Sequence, residues 1–253
     1  MVALSASSPT LADPAGYLVW EIGITVAALV LLAVGVHRAR TGPSPRLLLM
    51  VIASASTFWQ ETYGDWGAYV RYSDRFLQYP WPGEMWTASV KCWWFIAGYA
   101  VFYTALYGLL NLALKLVRVR FPDRKPYVTA ILLAFPIFYL FDLCFEATTT
   151  YLGFWTYLHT FGPALHVGNG TFPLLWPILE QVPFIAMAAL AIVSRDDQEQ
   201  DLFERLASRV SSGPRRFAVL LGTWIVTTNV AFLLSTALPL LALRWIAGPD
   251  IPV

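Results

Sequence analysis

Charged residues are scarce in this sequence, and their scarcity excludes most soluble folds. Asp, Glu, Lys and Arg make up 13% of the 253 residues, whereas hydrophobic residues make up 57%. Soluble domains carry about 25% charged residues. The long apolar runs therefore favour a polytopic α-helical protein of the plasma membrane, whose partner is the lipid bilayer. The net charge of +1 gives no sign of nucleic-acid binding, so we expect no nucleic acid partner.

Cysteine and histidine are also rare, with two and three residues, which limits the metal and redox chemistry open to the chain. Cys92 and Cys144 fall within apolar segments and are expected to be small buried hydrophobes. His159 and His166 fall in an uncharged loop and are interpreted as loop residues. A glycine-rich nucleotide loop and a GxSxG motif are absent, so acyl hydrolysis has no support. We expect no metal and no cofactor.

Six apolar segments approach or exceed the ~20 residues needed to cross a bilayer core. They cover residues 17–36, 47–63, 88–116, 128–150, 172–194 and 217–245. Four tryptophans between residues 81 and 94 leave open a further helix there. The fold class we predict is all-α: one transmembrane domain over residues 1–253, with six to seven transmembrane helices.

Basic residues concentrate in alternate loops, after the first, third and fifth segments. By the positive-inside rule these loops are cytoplasmic, and both termini are extracytoplasmic. The loop over residues 151–171 has no charged residue and is expected to lie outside. The segment 195–216 is expected to lie on the cytoplasmic membrane surface, because apolar residues recur in it at helical spacing. Those residues are Leu202, Phe203, Leu206 and Val210.

Five carboxylates lie within or at the ends of the apolar segments: Glu21, Glu61, Asp142, Glu146 and Glu180. An acid inside a membrane span costs ~2.5–3.5 kcal/mol and by default suggests a functional site. The predicted orientation places all five in the outer half of the membrane. Asp142 and Glu146 are four residues apart and share one helix face. We therefore expect Glu61, Asp142, Glu146 and Glu180 to converge on one aromatic-lined cavity.

Structural roles are the alternative for these acids. Glu21 and Glu61 could contact headgroup water at the ends of their segments. Asp142 and Glu180 could pair with Arg71 or Lys91 to fix helix packing. Against this, burial and a neighbouring carboxylate both favour the neutral form of an acid. A cluster can then hold one acid neutral and another ionised, which acid–base catalysis requires.

Three motifs carry the acids. They are Trp59-Gln60-Glu61-Thr62-Tyr63-Gly64-Asp65-Trp66, Asp142-x3-Glu146 followed by Trp155-Thr156-Tyr157, and Pro177-x2-Glu180 with Pro183. We predict catalysis by Asp142, Glu146, Glu180 and Glu61. Asp142 is the candidate general acid because it lies deeper than Glu146, and Glu180 or Glu61 is the candidate base. Substrate contacts are expected from Trp59, Tyr63, Asp65, Trp155, Tyr157 and Trp176.

At these motifs, over about residues 50–190, the chain resembles the avermectin-type, AveC-like spirocyclase family of membrane proteins. The chain departs from that family's pattern at Glu61-Thr62 and Tyr72-Ser73, where an Asp-Pro pair and a Tyr-Asn pair are expected. The resemblance implies formation of a spiroketal from a lipophilic dihydroxy-ketone polyketide, with loss of water. Such a reaction passes through an oxocarbenium ion and needs an acid, a base and aromatic faces.

Two other function classes use the same residues. An integral-membrane terpene or meroterpenoid cyclase would protonate an epoxide or alkene with an acid and guide the carbocation with aromatics. A non-enzymatic transporter or accessory membrane subunit would use these residues without a catalytic acid or a carbocation. A transporter of this size usually shows inverted repeats or paired broken helices, and the sequence has neither. We therefore expect an enzyme.

Overall fold

Helices make up most of the structure, as the apolar runs predict. The computed structural model describes residues 14–42, 44–79, 92–122, 126–168, 170–179, 200–210 and 214–247. The helices are α1 (Pro14–Thr41), α2 (Arg46–Ala55), α3 (Glu61–Ala68), α4 (Phe95–Arg120), α5 (Pro126–Tyr151), α6 (Leu202–Val210), α7 (Pro214–Phe232) and α8 (Leu238–Ala247). The strands are β1 (Val70–Tyr72), β2 (Trp155–Tyr157), β3 (Ala164–Val167) and β4 (Gly170–Pro173).

Within the described residues, four helical stretches are long and apolar enough to cross a membrane. They are Ala15–Thr41, Phe95–Arg120, Leu132–Tyr151 and Arg215–Ile246. The last combines α7 and α8 through one π-helical turn, Leu233–Ala237, just before Pro239. Proline removes a backbone donor, so a widened turn at this point is its expected consequence. Six to seven transmembrane helices are not confirmed.

The second predicted segment is not one continuous span. Helix α2 ends at Ala55, and a 3₁₀ turn, Phe58–Gln60, separates it from α3. Two side-chain hydroxyls donate hydrogen bonds to backbone carbonyls at the break. Ser56 donates to Ala53 at 2.6 Å, and Thr57 donates to Ser54 at 2.7 Å. Such local bonds compete with the helical ladder. Glu61 consequently lies in the first turn of a separate short helix.

Two other predicted segments differ from the structure in their bounds or lie partly outside the described residues. Helix α4, which corresponds to the third predicted segment, begins at Phe95 and continues to Arg120, beyond the predicted end at 116. The fifth predicted segment starts in strand β4, and residues 180–199, which include Glu180, lie outside the described residues. Residues 80–91 do too, so a further helix between residues 81 and 94 stays a prediction.

Short β-ribbons refine the all-α prediction. Strand β1 pairs antiparallel with β2, and β3 pairs antiparallel with β4. The β1 sequence Val-Arg-Tyr and the β2 sequence Trp-Thr-Tyr combine β-branched and aromatic residues, which favour strands. Both strands bury their outer two residues and leave the middle residue more exposed. The β1–β2 ribbon lies near the N-terminal ends of α1 and α4, away from the basic residues in the last turns of those two helices.

Helix α6 is an integral part of the packing, and its polar residues explain why. Asp201 and Glu204 form a reciprocal capping box, with backbone N–H bonds of 2.8 and 3.1 Å to each other's carboxylate. Arg46 at the start of α2 bridges both acids, at 3.0 Å to Asp201 and 2.7 Å to Glu204. Phe203 packs on Trp224 of α7 with ring centroids 5.2 Å apart. Of the apolar residues expected on one face of this helix, Phe203 is therefore buried against the protein, whereas Leu202 and Leu206 are exposed.

The two cysteines differ in burial, contrary to expectation. Cys92 is fully buried beside β1, whereas Cys144 is exposed on the outer face of α5. Cys144 follows Asp142 by two residues, which turns it by about 200° around the helix from that buried acid. Its apolar character suits a lipid-facing position equally well.

Helix α3 is fixed against α8 by a close backbone contact and a buried cation. Arg244 of α8 lies between the rings of Trp66 and Tyr69, 4.1 Å from each centroid, and donates a hydrogen bond to the Trp66 carbonyl. Tyr69 caps α3 in a left-handed conformation, with φ of 58°. A β-carbon added to Gly67 would lie 2.7 Å from the β-carbon of Leu240. Glycine at this position therefore allows the two helices to meet.

We predict that Gly67→Ala lowers the free energy of unfolding by ~1–3 kcal/mol, because the added methyl overlaps the α8 backbone. Gly64, one turn earlier, is the matched control, since an added β-carbon there meets nothing within 4 Å. Gly64→Ala is expected to be neutral or stabilising by up to ~1 kcal/mol through helix propensity. Thermal unfolding in detergent measures the stability of both variants. Equal losses of stability in Gly67→Ala and Gly64→Ala would contradict the α3–α8 contact.

We also predict that Arg46→Met destabilises the protein by about 3 kcal/mol, because two buried carboxylates lose their cation. The triple variant Arg46→Met/Asp201→Asn/Glu204→Gln should recover most of that loss, since Asn and Gln retain the capping box without charge. The measurement is thermal unfolding across the series, with the exposed Arg209→Gln as a control. A triple variant less stable than the single variant would rule out electrostatic coupling.

Candidate functional site

The β1–β2 ribbon sets the geometry of the site. Its register places Tyr72 opposite Trp155 and Val70 opposite Tyr157. Residues two apart on a strand share one face, and directly opposed residues share it too. Tyr72, Trp155 and Tyr157 therefore project from the same buried face of the ribbon, toward α3 and α5.

Glu146 receives two hydrogen bonds from this face. Trp155 donates its indole N–H at 2.7 Å and Tyr157 donates its hydroxyl at 2.8 Å, both to Oε2. Within the part of the chain that the structure describes, both hydrogen bonds to Glu146 end on this one oxygen. Helix α5 places Glu146 one turn before its end, and its side chain is buried. The ribbon therefore fixes the orientation of a carboxyl group in a membrane-length helix.

Glu61 receives hydrogen bonds on both of its oxygens. Tyr72 donates its hydroxyl to Oε1 at 2.9 Å, and Tyr99 of α4 donates its hydroxyl to Oε2. Both oxygens of Glu61 therefore act as hydrogen-bond acceptors, an arrangement that an ionised carboxylate satisfies. The two glutamates thus have different hydrogen-bond arrangements. They are nevertheless close together, because Tyr72, which donates to Glu61, and Trp155, which donates to Glu146, have ring centroids only 5.4 Å apart.

Both glutamates line one aromatic cavity of about 130 Å³. Six elements contribute to its wall, and most of the lining side chains are aromatic. The lining residues are Trp20, Ile24, Glu61, Tyr72, Trp94, Phe95, Gly98, Tyr99, Val101, Phe102, Ala105, Phe141, Phe145, Glu146 and Trp155. A cavity near this size holds one benzene-sized ring.

Tyr72 connects the acids electrostatically as well as by geometry. Burial raises its pKa well above the ordinary value for tyrosine, and the carboxyl groups of Asp65, Glu61 and Glu146 raise it further whenever they are ionised. The Tyr72 hydroxyl therefore keeps its proton at any physiological pH. It serves as a constant hydrogen-bond donor to Glu61, not as a group that titrates.

The structure brings together part of the predicted acid cluster. Glu61 and Glu146 share the cavity. Asp142 is fully buried one turn earlier on α5 and is not among the described residues that line it. Glu21 accepts the backbone N–H of Leu77 at 2.8 Å and lines a neighbouring groove instead. Glu180 lies outside the described residues.

The predicted substrate-contacting aromatics divide into two groups. Trp155 lines the cavity, and Tyr157 lies behind Glu146 with Trp176 against its ring at 5.7 Å. Trp59 is half exposed and donates to Asn229 at 2.8 Å, while Tyr63 packs on Trp59. Neither of those two is among the described lining residues.

Asp65, the remaining predicted contact, is buried close enough to Tyr72 to affect its pKa. It too is not among the described residues that line the cavity. Its position supports an electrostatic contribution through Tyr72 in place of direct substrate contact.

Several residues of the cavity wall were not predicted from the sequence. Tyr72 and Tyr99 hold Glu61, and Trp20, Trp94 and Phe145 line the cavity. The matching Val-Arg-Tyr and Trp-Thr-Tyr triplets were a usable signal for a strand pair that opposes Tyr72 to Trp155. The helical aromatics had no such signal, because aromatic residues are abundant throughout the chain.

Comparison with known proteins adds one finding. Searches among curated proteins and among solved structures give no significant match. A family model described as spirocyclase AveC-like matches residues 39–250, which include β1, β2 and both cavity glutamates. This match covers most of the chain, and the chain therefore belongs to the AveC-like spirocyclase family.

Proposed function

We propose that this protein is a membrane-embedded cyclase that closes a lipophilic dihydroxy-ketone polyketide to a spiroketal. The observation that carries the proposal is the pair of glutamates with unlike hydrogen-bond arrangements facing one aromatic cavity. Family membership supports a cyclase role. We further propose a plasma-membrane location with both termini extracytoplasmic, which follows from the distribution of basic loops.

In the proposed reaction, Glu146 is the acid and Glu61 the base. One substrate hydroxyl adds to the ketone carbon, and its proton passes to the carbonyl oxygen to give a hemiketal. Glu146 donates a proton from Oε1 to the hemiketal hydroxyl, and the C–O bond breaks to release water. The second hydroxyl attacks the resulting oxocarbenium ion and gives its proton to Glu61. Return of that proton to Glu146 restores the enzyme.

The surrounding side chains support these roles. Trp155 and Tyr157 hold Oε2 of Glu146, which leaves Oε1 to carry the transferable proton. A carboxylate has about four lone-pair sites, so Glu61 can accept a proton while Tyr72 and Tyr99 remain bonded. Trp94 and Trp155 stack at 5.9 Å and 23° on the cavity wall. Aromatic faces stabilise a desolvated cation by up to ~2 kcal/mol, which favours the oxocarbenium ion.

We predict that Glu146→Gln lowers kcat by ~10²–10⁴-fold, because the side chain keeps its shape but loses the transferable proton. The assay incubates purified protein with a dihydroxy-ketone and measures, by mass spectrometry, the product lighter by one water. Asp74→Asn is the control, since this acid is exposed and lies outside the cavity.

The variant Asp142→Asn distinguishes the proposal that Glu146 is the general acid from the sequence-based prediction that Asp142 is. With Glu146 as the acid, Asp142→Asn retains far more activity than Glu146→Gln. If Asp142→Asn abolishes turnover while Glu146→Gln stays active, the proton donor is Asp142 and the assignment of Glu146 is wrong.

Tyr72→Phe removes one donor from Glu61 and keeps the aromatic ring. We predict a fall in kcat of about tenfold, since a hydrogen bond to a charged group contributes roughly 1.5 kcal/mol. Tyr99→Phe should act similarly, and the double variant should lose more than either. Measured kcat values equal to wild type in both single variants would show that Glu61 needs no orientation by these hydroxyls.

An integral-membrane terpene or meroterpenoid cyclase is the second candidate, favoured by the many aromatic faces around the cavity. Such an enzyme would protonate an epoxide or alkene with the same acid. A prenylated epoxide tested in parallel distinguishes the two. An isomeric product of unchanged mass but new retention time supports the terpene-type reaction, whereas loss of one water from the ketone supports spiroketal formation.

A further inference from the structure

The cavity that holds Glu61 and Glu146 is small for a whole polyketide. Its volume of about 130 Å³ suits a single ring, whereas sites that enclose a drug-sized ligand usually measure roughly 300–1,000 Å³. The cavity therefore has room for the reacting atoms and little else. The remainder of a long lipophilic substrate must lie in an adjoining space.

An apolar groove of about 660 Å³ adjoins the cavity, between α1, α2 and α4. Its lining is apolar apart from Glu21 and Thr25. The lining residues are Leu18, Glu21, Ile22, Thr25, Val26, Ala28, Leu29, Leu32, Val51, Ile52, Ala55, Leu77, Trp93, Trp94, Ile96, Ala97 and Ala100. Along α1 these residues extend from Leu18 to Leu32, a length of ~21 Å at the helical rise per residue.

Trp94 is a wall common to the groove and the cavity. On the cavity side its ring lies against Trp20 at 5.7 Å and Trp155 at 5.9 Å. Gly98 allows the ring to lie flat on α4, because a β-carbon there would come within 2.9 Å of the indole. The groove and the cavity are therefore neighbours on either side of this one indole.

Glu21 braces this wall from α1. Its carboxylate accepts the backbone N–H of Leu77 at 2.8 Å, and the Leu77 carbonyl accepts the N–H of Trp93 at 3.0 Å. The acid therefore holds the backbone that presents Trp93 and Trp94 to the groove. This gives the buried carboxylate a positioning role, distinct from those of the two cavity glutamates.

We propose that the groove binds the apolar tail of the substrate whose oxygenated end reacts in the cavity, with Trp94 marking the boundary between the two. The occupant follows from continuity, since Trp94 lines both spaces, and from volume, since the cavity cannot hold the tail. This inference rests on the proposed cyclase function for the identity of the reacting end. It adds a binding site for a long alkyl or polyketide chain.

The test compares two dihydroxy-ketones with the same reacting atoms, one with a short tail and one with a long alkyl tail. Ala28→Trp and Ala55→Trp fill the groove from opposite walls. Each should lower the ratio of kcat/KM for the long over the short substrate by at least about tenfold, because an indole takes the space of the tail. Val30→Trp, exposed on α1 outside the groove, is the control and should leave the ratio unchanged. A ratio within twofold of wild type in both groove variants overturns the proposal.

A second measurement does not depend on turnover. The long-tailed ketone carries a diazirine at the end of its alkyl chain, and the labelled peptides are identified after photolysis. Labelling within α1 or α2 that is lost in the folded Ala28→Trp or Ala55→Trp variant supports the groove as the tail site. Labelling elsewhere, or labelling unchanged in both variants, overturns it and leaves membrane lipid as the occupant. If wild type converts neither ketone, the cyclase proposal fails, and labelling alone decides the groove.

Discussion

The pairing of β1 with β2 is the constraint on which the candidate site depends. Backbone N–H groups inside a helix are already bonded, so an acid on a membrane-length helix must find donors elsewhere. For Glu146 the donors come from Trp155 and Tyr157 of β2, and for Glu61 one comes from Tyr72 of β1. The register that opposes Tyr72 to Trp155 therefore serves both carboxylates at once. A slip of one residue would turn these donors to the other face.

This arrangement also explains why the site lies at one end of the helices. A two-stranded ribbon leaves backbone groups on its outer edges, which hydrocarbon cannot satisfy. The ribbon must remain near water or protein, yet its buried face reaches the last turn of α5 and the first turn of α3. Acids located there are enclosed by aromatic side chains, and Tyr72, Trp155 and Tyr157 of the ribbon donate hydrogen bonds to them. The break between α2 and α3, made by Ser56 and Thr57, is what turns Glu61 toward that ribbon.

The sequence predicts the parts of this protein that depend on local pattern. Long apolar runs predicted the helices around residues 17–36, 128–150 and 217–245, and the scarcity of acids drew attention to five carboxylates, of which Glu61 and Glu146 line the cavity. Spacing alone could not separate Asp142 from Glu146, because both lie on one face of α5 and only contacts from β2 distinguish them. Tyr72 and Tyr99 were missed for a related reason: their roles depend on a strand register and on a distant helix, which hydrophobic periodicity does not encode.

Under the proposed function, the two spaces beside Trp94 contribute differently to substrate recognition. An apolar tail gains little by moving from lipid into an apolar groove, because lipid chains are as apolar as leucine. The groove can therefore select substrates by length and shape but supplies little affinity. For the proposed substrate, favourable binding would come from its hydroxyl and carbonyl oxygens, which lose water on entering the membrane and would regain partners at Glu61 and Glu146. In the proposed function, a small aromatic cavity with two glutamates beside a large apolar groove places the binding energy at the reacting end of the substrate, and this matches the requirement that catalysis use interactions at the reacting atoms.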